Sequence, residues 1–283
     1  MSFGSRARAA MDAYGPACIG IDPHGSLLEA WGVGDTLEGL DRFAATCVEA
    51  LAGQVGFVKP QSAFFERFGA RGVAILERTL QDLRHTGTLT VLDVKRGDIG
   101  STAAAYAEAY LDEDSPMAAD AVTVSPFLGF GSLEPFLAEA ERNDAGVFVL
   151  ALTSNPEGPE VQHALVQAAG PAGVPGRGRQ TRTVAGDVLA ALREANAGAS
   201  PMGSYGAVVG ATIGSTDEDL DIGGPLLVPG FGSQGGTVDD LRRIFAGVEH
   251  RVLPSTSRQV LQAGPDVAAL RAAAVAVNDS LQL

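Results

Sequence analysis

Short segments rich in β-branched and other apolar residues recur along the chain, separated by longer segments whose apolar residues follow the spacing of one helix face. The short segments predict buried strands, and the longer segments predict amphipathic helices. Eight strands are predicted in this way, at residues 17–21, 55–58, 88–94, 121–124, 146–152, 206–212, 225–229 and 251–254. The main predicted helices cover residues 3–14, 37–52, 69–86, 103–111, 133–143, 181–197, 238–245 and 265–278.

Strands that alternate with helices are typical of parallel strands joined by helical crossovers. Eight such strands close a TIM (β/α)8 barrel, and we predict this α/β fold for residues 1–283. A single domain is expected, because no internal repeat, linker or change in composition divides the chain. A doubly wound open sheet is the alternative, but the glycine pattern that binds phosphate after the first strand of such a sheet is missing.

Two stretches depart from the regular alternation of elements. Residues 156–180 predict an irregular insertion, in which a helix over 161–169 leads into a loop rich in glycine and proline. A short helical turn is predicted at 217–221, between the sixth and seventh strands.

Charged side chains follow the first three predicted strands at their carboxyl ends, where barrels of this kind carry their active sites. Residues two apart in a strand point to the same face, so Asp93 and Lys95 should lie together. Because neighbouring strands are only about 5 Å apart, we expect one patch of alternating charge. Its members are Asp22, Lys59, Asp93 and Lys95, with Asp98 just beyond.

The chain has only two lysines, Lys59 and Lys95, against eighteen arginines. Lysine, unlike arginine, can give up a proton in a suitable site. Carboxylates on either side stabilise an ammonium group, so Lys95 suits proton donation better than attack on a carbonyl. Two alternatives remain: ordinary lysines at strand ends, and a metal site of Asp22, Asp93 and Asp98, in which a lysine would compete with the ion.

Segments after the last two strands have the composition of a phosphate site, which TIM barrels commonly hold at this position. Glycines at 230–236 expose backbone N–H groups, and Gln234 offers an amide. Arg258 follows the eighth strand and can bind phosphate oxygens with two N–H groups.

The formal net charge of −14 and the isoelectric point near 4.6 argue against nucleic acid or an anionic membrane as a partner. No segment has the length and hydropathy of a membrane span, and the first residues lack the apolar core of a signal peptide. Cys18 and Cys47 are predicted to be reduced core residues, which favours a reducing cytoplasm. The four histidines show no metal-ligand spacing.

The segment Asp93-Val94-Lys95-Arg96-Gly97-Asp98-Ile99-Gly100-Ser101-Thr102 resembles the signature of the orotidine 5′-phosphate decarboxylase family. The resemblance covers nearly the whole chain and is strongest to the longer bacterial branch, type 2. Other blocks resemble the family in the same order: Gly20-Ile21-Asp22-Pro23, Phe57-Val58-Lys59-Pro60-Gln61, Thr153-Ser154-Asn155-Pro156, Val228-Pro229-Gly230-Phe231-Gly232-Ser233-Gln234-Gly235 and Ser257-Arg258. One departure is Pro254-Ser255-Thr256, where glycine is expected before Ser257-Arg258.

The resemblance implies cofactor-free decarboxylation of orotidine 5′-phosphate (OMP) to UMP, the last step of pyrimidine synthesis. It implies that Lys95 protonates C6 of the pyrimidine and that Asp93 lies against the departing carboxylate. Lys59 and Asp22 would then hold ribose hydroxyls, and Ser154 would contact the amide edge of the base.

The same resemblance implies a phosphate site and a cytoplasmic homodimer with shared active sites. Gln234, Ser257 and Arg258 would bind the substrate on the phosphate side. Asp98, Ile99 and Thr102 would reach into the partner subunit's site.

Two other functions fit the same residues. A sugar-phosphate decarboxylase or aldolase of the same superfamily shares the Asp-x-Lys-x-x-Asp spacing but needs Mg²⁺. A barrel that binds phosphate without catalysis is the third candidate, but Asp93, Lys95 and Asp98 are all intact.

Overall fold

Eight parallel strands form a closed barrel in the computed structural model, which describes residues 1–166, 182–232 and 235–281. The predicted TIM barrel is therefore confirmed as a single domain, and the open sheet is excluded because the first strand pairs with both the second and the last. The strands are β1 (Cys18–Ile21), β2 (Phe57–Pro60), β3 (Leu89–Arg96), β4 (Ala121–Val124), β5 (Gly146–Leu152), β6 (Tyr205–Val209), β7 (Leu226–Pro229) and β8 (Val252–Thr256).

Helices cover the outside of the barrel and bury their apolar faces against the strands. Leu40 and Phe43 on one helix and Leu76 on another are fully buried in this outer layer. The helices are α1 (Phe3–Tyr14), α2 (Gly25–Ala30), α3 (Leu37–Leu51), α4 (Ser62–Glu66), α5 (Gly69–Leu83), α6 (Gly100–Leu111), α7 (Glu134–Arg142), α8 (Gly158–Gln162), α9 (Val184–Ala195), α10 (Val238–Ile244), α11 (Arg258–Leu261) and α12 (Val267–Ser280). Single 3₁₀ turns lie at Phe130–Leu133 and Glu249–Arg251.

Helix α1 packs on the amino-terminal end of the barrel. Phe3 is fully buried, and its ring meets the ring of Phe148 edge-on, with centroids 6.0 Å apart. Gly146 is required beside it, because a Cβ at this position would lie 2.4 Å from the Phe3 ring. The helix therefore closes one end of the barrel and leaves the carboxyl ends of the strands as the accessible end.

Side chains inside the barrel change from apolar to polar along the strands. Cys18, Phe57 and Phe148 belong to the buried cluster beneath α1. Because side chains alternate along a strand, Gly20 and Lys59 are the next inward positions of β1 and β2. The polar layer is thus a direct consequence of which residue types occupy the last inward positions.

Three local predictions are wrong. The hydroxyl residues Ser101 and Thr102 predict an N-cap for the helix at 103–111. Helix α6 instead begins at Gly100, with Ile99 at the cap position and no side-chain cap, so both residues lie inside the helix. Gly100 has φ +54°, and this left-handed conformation turns the chain into the helix.

Residues 217–221 form no helix, because their side chains hold the backbone in another conformation. Glu218 accepts a hydrogen bond from the Thr183 hydroxyl, and Asp219 accepts one from the Asp221 N–H at 3.0 Å. Asp219 and Asp221 also pair with Arg193 and Arg251. Such local side-chain bonds compete with helical backbone bonds.

The helix predicted at 161–169 lies earlier, as α8. Pro159 stands in its first turn, where the missing N–H costs nothing. Leu165–Val166 then pairs antiparallel with Arg182–Thr183. The predicted loop rich in glycine and proline follows residue 169 and lies entirely outside the described residues.

Candidate active site

A cavity of about 470 Å³ opens at the carboxyl ends of the strands. Seven of the predicted site residues line it: Asp22, Lys59, Asp93, Lys95, Ser154, Ser257 and Arg258. The predicted strand ends are sufficient to place these side chains near one another, because all parallel strands of a barrel end at the same face.

Lys59, Asp93 and Lys95 form a continuous row of charges. Lys59 Nζ donates a hydrogen bond to Asp93 Oδ2 at 2.9 Å, and Lys95 Nζ donates to Asp93 Oδ1 at 2.5 Å. The Lys59 and Asp93 side chains are each only 8% exposed, whereas that of Lys95 is 46% exposed. The buried pair therefore holds the base of the row, and the Lys95 ammonium is the member that a ligand can reach.

Burial and charge act in opposite directions on the two buried groups. Burial by itself would raise the pKa of Asp93, but the charges of Lys59 and Lys95 and their hydrogen bonds hold the pKa well below its usual range. Burial would lower the pKa of Lys59, yet the charges of Asp93 and Asp22 raise this pKa above its ordinary value. Both groups are thus ionised over the whole neutral range.

The end of β3 departs from regular strand geometry. Lys95 has φ +45°, which is uncommon for a residue with a side chain. The pairing of β3 with β4 also shifts register between Leu92 and Arg96. Asp93 and Lys95 still lie on the same side as predicted, but an irregular strand end brings their charged groups together.

Asp22 lies to one side of this row. Ser257 Oγ donates a hydrogen bond to Asp22 Oδ2 at 2.5 Å, while Asp22 Oδ1 is buried without a partner among the described residues. Gly20 makes room for this contact, since a Cβ there would lie 2.0 Å from Ser257 Oγ. Thr256 Oγ1 is also buried and has no hydrogen-bond partner among the residues that the structure describes. Both orphaned oxygens belong to cavity-lining residues and can bond a polar ligand.

Ser154 stands on a loop that is held by Gln162 of α8. The Gln162 side chain accepts a hydrogen bond from the Thr153 N–H at 2.9 Å and donates one to Thr153 Oγ1 at 2.7 Å. Thr153 and Asn155, on either side of Ser154, line the cavity too. The first helix of the insertion therefore supports one wall of the site.

Three other predicted residues, Asp98, Ile99 and Thr102, do not line this cavity. Asp98 is half-buried and accepts a hydrogen bond from the Ile99 N–H at 2.8 Å, while Ile99 and Thr102 are exposed. Gln234 lies outside the described residues. Asp98 does not join Asp22 and Asp93, and the described ranges contain no group of three or more His, Cys, Asp or Glu side chains that could hold a metal ion.

Several lining residues are not assigned to the site by the sequence, among them Gln61, Thr123 and His24. Gln61 Nε2 donates to Asp93 Oδ2 at 2.9 Å, and Thr123 Oγ1 donates to Asp93 Oδ1 at 2.8 Å. His24 lines the cavity and packs on the Phe64 ring, with centroids 4.2 Å apart. The available signal was position: each follows or occupies the carboxyl end of a predicted strand, as the charged residues do.

Cys18 and Cys47 are buried and free, as predicted. Burial raises the pKa of the Cys18 thiol to about 12, and it also raises the pKa of Cys47. Neither thiol is therefore a nucleophile at neutral pH. Among the residues that the structure describes, no helix is long and apolar enough to cross a membrane.

Comparison with known proteins identifies the family. Residues 16–273 match the model of the orotidine 5′-phosphate decarboxylase / HUMPS family. The chain belongs to this family. The match includes all eight barrel strands and every lining residue of the cavity.

Similar members of the family occur in actinobacteria. An orotidine 5′-phosphate decarboxylase of Nocardioides sp. is 60% identical over 99% of this chain and 98% of its own length. One from Streptomyces coelicolor is 57% identical over 96% of this chain and 94% of its own length.

Solved structures of the family have the same architecture. A crystal structure from Streptomyces avermitilis, assigned as an orotidine 5′-phosphate decarboxylase, has a TM-score of 0.91 and 54% identity, covering 99% of this chain and 95% of its own. The OMP decarboxylase of Leishmania donovani has a TM-score of 0.72 and 27% identity, covering 99% and 98% of the two chains.

Proposed function

We propose that the chain decarboxylates orotidine 5′-phosphate to UMP and CO₂ without a cofactor, in the synthesis of pyrimidines. The observation that carries this proposal is the row of Lys59, Asp93 and Lys95 at the open end of a barrel of this family. Relatives that carry the activity in their names match almost the full chain, which supports the same substrate.

The reaction breaks the bond between C6 of the pyrimidine and the carboxylate carbon. The electron pair of this bond stays on C6 as CO₂ leaves, and Lys95 donates the proton that binds to it. An ammonium group that is fixed in place before the reaction stabilises the developing charge without reorganisation. Two observations support this role: Lys95 donates a hydrogen bond to Asp93, and the Lys95 side chain lines the cavity and is partly exposed.

Asp93 takes the position against the substrate carboxylate. Its lowered pKa keeps the group charged, so the two anions repel each other until CO₂ departs. Binding energy from distant parts of the substrate can compensate this repulsion and thereby appear as rate.

Recognition of the rest of the nucleotide is assigned to the other lining residues. Asp22 has an unpartnered buried oxygen that can accept a hydrogen bond from a ribose hydroxyl, with Lys59 beside it. Ser154 contacts the amide edge of the base. On the phosphate side, Arg258 lines the cavity and makes no ion pair within the described part of the chain, so its guanidinium is available to an anion. Ser257 and Gln234 complete this side.

A homodimer completes the site in this proposal. Asp98, Ile99 and Thr102 lie outside the chain's own cavity, and the Ile99 side chain is exposed at 61%. Phe127 and Leu128, which follow the neighbouring strand β4, are exposed at 75% and 54%. Large apolar side chains exposed at one end of a barrel favour contact with a second copy.

A reducing cytoplasm is the proposed location of the enzyme. The two buried thiols are unpaired, which fits a compartment where disulfides do not persist. Fractionation of cells with an antibody to the chain would test this assignment.

The direct test is turnover of orotidine 5′-phosphate by the wild-type chain and by Lys95→Ala. We expect Lys95→Ala to lose detectable turnover, because the ammonium group that donates the proton is removed, while it still binds UMP through the ribose and phosphate contacts. Retained turnover in Lys95→Ala would remove the proton-donor role, and an inactive wild-type chain would overturn the proposed reaction.

The Mg²⁺-dependent sugar-phosphate decarboxylase or aldolase is the second candidate, since the family description also includes the HUMPS group. Turnover of orotidine 5′-phosphate in excess EDTA separates the two, because the proposed reaction needs no metal. Loss of turnover in EDTA that Mg²⁺ restores would favour the second candidate.

A further inference from the structure

Thr123, the third residue of β4, connects the two central residues of the proposed site through one hydroxyl group. Its Oγ1 accepts hydrogen bonds from the backbone N–H groups of Val94 at 3.1 Å and Lys95 at 3.0 Å. The same oxygen donates to Asp93 Oδ1 at 2.8 Å. Thr123 is 1% exposed, so water does not substitute for these contacts.

The backbone of β3 requires such a partner at this point. The register shift against β4 and the positive φ of Lys95 remove this part of β3 from the regular ladder. A left-handed residue with a side chain persists only where its surroundings hold it. Without the hydroxyl, the buried N–H of Val94 and the part-buried N–H of Lys95 would both lose this acceptor.

The direction of each hydrogen bond follows from the chemistry of the groups. An ionised carboxylate only accepts hydrogen bonds, and a backbone N–H only donates them. The single hydrogen of the hydroxyl must therefore point to Asp93, and its lone pairs must face the two N–H groups. Valine has the same shape as threonine but can make none of the three bonds.

We propose that Thr123 is the positioning residue of the proton donor: it holds the turn at Lys95 and the carboxylate of Asp93 so that the ammonium is aimed at C6. This inference rests on the proposed decarboxylation, and it adds a residue that acts through Lys95 without binding the substrate. Displacement of a reacting group by about 1 Å can cost about 100-fold in rate.

The test compares Thr123→Val with Thr123→Ser and with a matched control. Thr90→Val is the control, because Thr90 is a buried threonine of β3 whose hydroxyl bonds Asp120, away from the cavity. All variants are assayed for kcat on orotidine 5′-phosphate, for UMP affinity and for thermal unfolding. Exchange of the C6 hydrogen of UMP in D₂O is also measured, since the group that delivers a proton to C6 also removes it in reverse.

We expect Thr123→Val to lose about 100-fold in kcat and in C6 exchange, with UMP affinity changed by less than about threefold. Thr123→Ser keeps the hydroxyl and should stay within about tenfold of wild type. Thr90→Val should lose thermal stability but retain wild-type kcat and exchange.

Three results would overturn the role of Thr123. The first is a wild-type kcat in Thr123→Val. The second is an equal loss of kcat in Thr123→Val and Thr123→Ser. The third is a loss of UMP affinity large enough to account for the lower kcat. If Thr123→Val does not fold, hydrogen exchange of the Val94 and Lys95 amides in the wild-type chain decides, since unprotected amides contradict the proposed bonds. An inactive wild-type chain would instead overturn the proposed reaction.

Discussion

Asp93 accepts hydrogen bonds from four side chains, which occupies both of its oxygens. Lys59 and Gln61 donate to Oδ2, and Lys95 and Thr123 donate to Oδ1. A buried ion pair seldom adds stability over an apolar replacement of similar volume, whereas loss of one partner is strongly destabilising. A saturated buried carboxylate between two lysines is therefore better explained by chemistry at the site than by stability of the barrel.

The lowered pKa of Asp93 predicts how stability depends on pH. A carboxyl group whose pKa is lower in the folded state stabilises the fold fully above its unfolded pKa, near 3.9, and this contribution is lost as the pH falls toward the folded pKa. Asp93→Asn removes the titration. We therefore expect its free energy of unfolding to fall less steeply than that of wild type between about pH 5 and pH 2.

Urea unfolding at a series of pH values measures this difference. Asp239→Asn is the matched surface control, because its side chain is 90% exposed. Parallel curves for wild type and Asp93→Asn would contradict the assigned pKa shift.

At the scale of single elements, α1 stabilises the barrel from the end opposite the cavity. Phe3 fills the space beneath the strands, and its ring lies against Phe148 and the glycine at 146. Arg6 extends the contact by pairing with Asp120, which in turn accepts a hydrogen bond from the Thr90 N–H at 2.8 Å. The helix thus joins the first residues of the chain to the middle of the barrel.

Phe3→Ala is expected to lower the free energy of unfolding by about 3–5 kcal/mol, because it leaves a cavity in the closed end. Tyr14→Ala on the same helix should cost less than Phe3→Ala, since Tyr14 is 36% exposed whereas Phe3 is fully buried. Denaturant unfolding gives both values. kcat and KM should stay unchanged in Phe3→Ala, and a catalytic defect in a folded variant would contradict the separation of the two ends.

At the scale of the whole molecule, the acidic chain carries its proposed anion site in a positive pocket. The net charge of the chain is −14, yet three cations line the cavity, Lys59, Lys95 and Arg258, against the two carboxylates of Asp22 and Asp93. Such an arrangement concentrates the attraction for an anionic nucleotide at one place, and it disfavours nonspecific binding of nucleic acid elsewhere on the surface.

The proposed dimer predicts complementation between two inactive variants. In the proposed dimer, Asp93→Asn would damage a subunit's own site, and Asp98→Ala would damage the site of its partner. A hybrid dimer therefore contains one site with both changes and one site with neither. After random subunit exchange we expect recovery of up to about a quarter of wild-type activity.

Activity of the mixture is compared with that of each variant alone. Subunit exchange must be shown separately, for example by mass spectrometry of the intact hybrid. No recovery in a mixture that has exchanged would argue that each site is built from a single chain.

Several features of the fold and site could be predicted because they depend on local patterns. Apolar segments of strand length, such as Cys18–Ile21 and Ala121–Val124, are recognisable as strands from composition and length alone. The barrel follows from the number of these segments and from the helices between them. Lys59, Asp93 and Lys95 could be placed at one end because each stands at the end of such a segment.

Other features depend on contacts between distant residues and could not be predicted. The hydroxyl of Thr123 meets the backbone of Val94 and Lys95 only after β3 and β4 have paired with a shifted register. The partner of Asp22 is Ser257, which lies 235 positions away along the chain. The start of α6 at Gly100 cannot be predicted from local pattern either, because the conformation of Gly100 depends on the end of the strand before it.

The amino-acid sequence by itself determined which residue types stand at the ends of the strands, and therefore the barrel, the location of the site and its charged groups. Only the tertiary structure decided which atoms meet: four donors on Asp93, a left-handed backbone at Lys95 and the contact of Ser257 with Asp22. The physical reason is the distance along the chain over which each effect acts. Periodicity and strand propensity act over a few neighbouring residues, whereas a hydrogen bond between two strands depends on the register in which those strands pair.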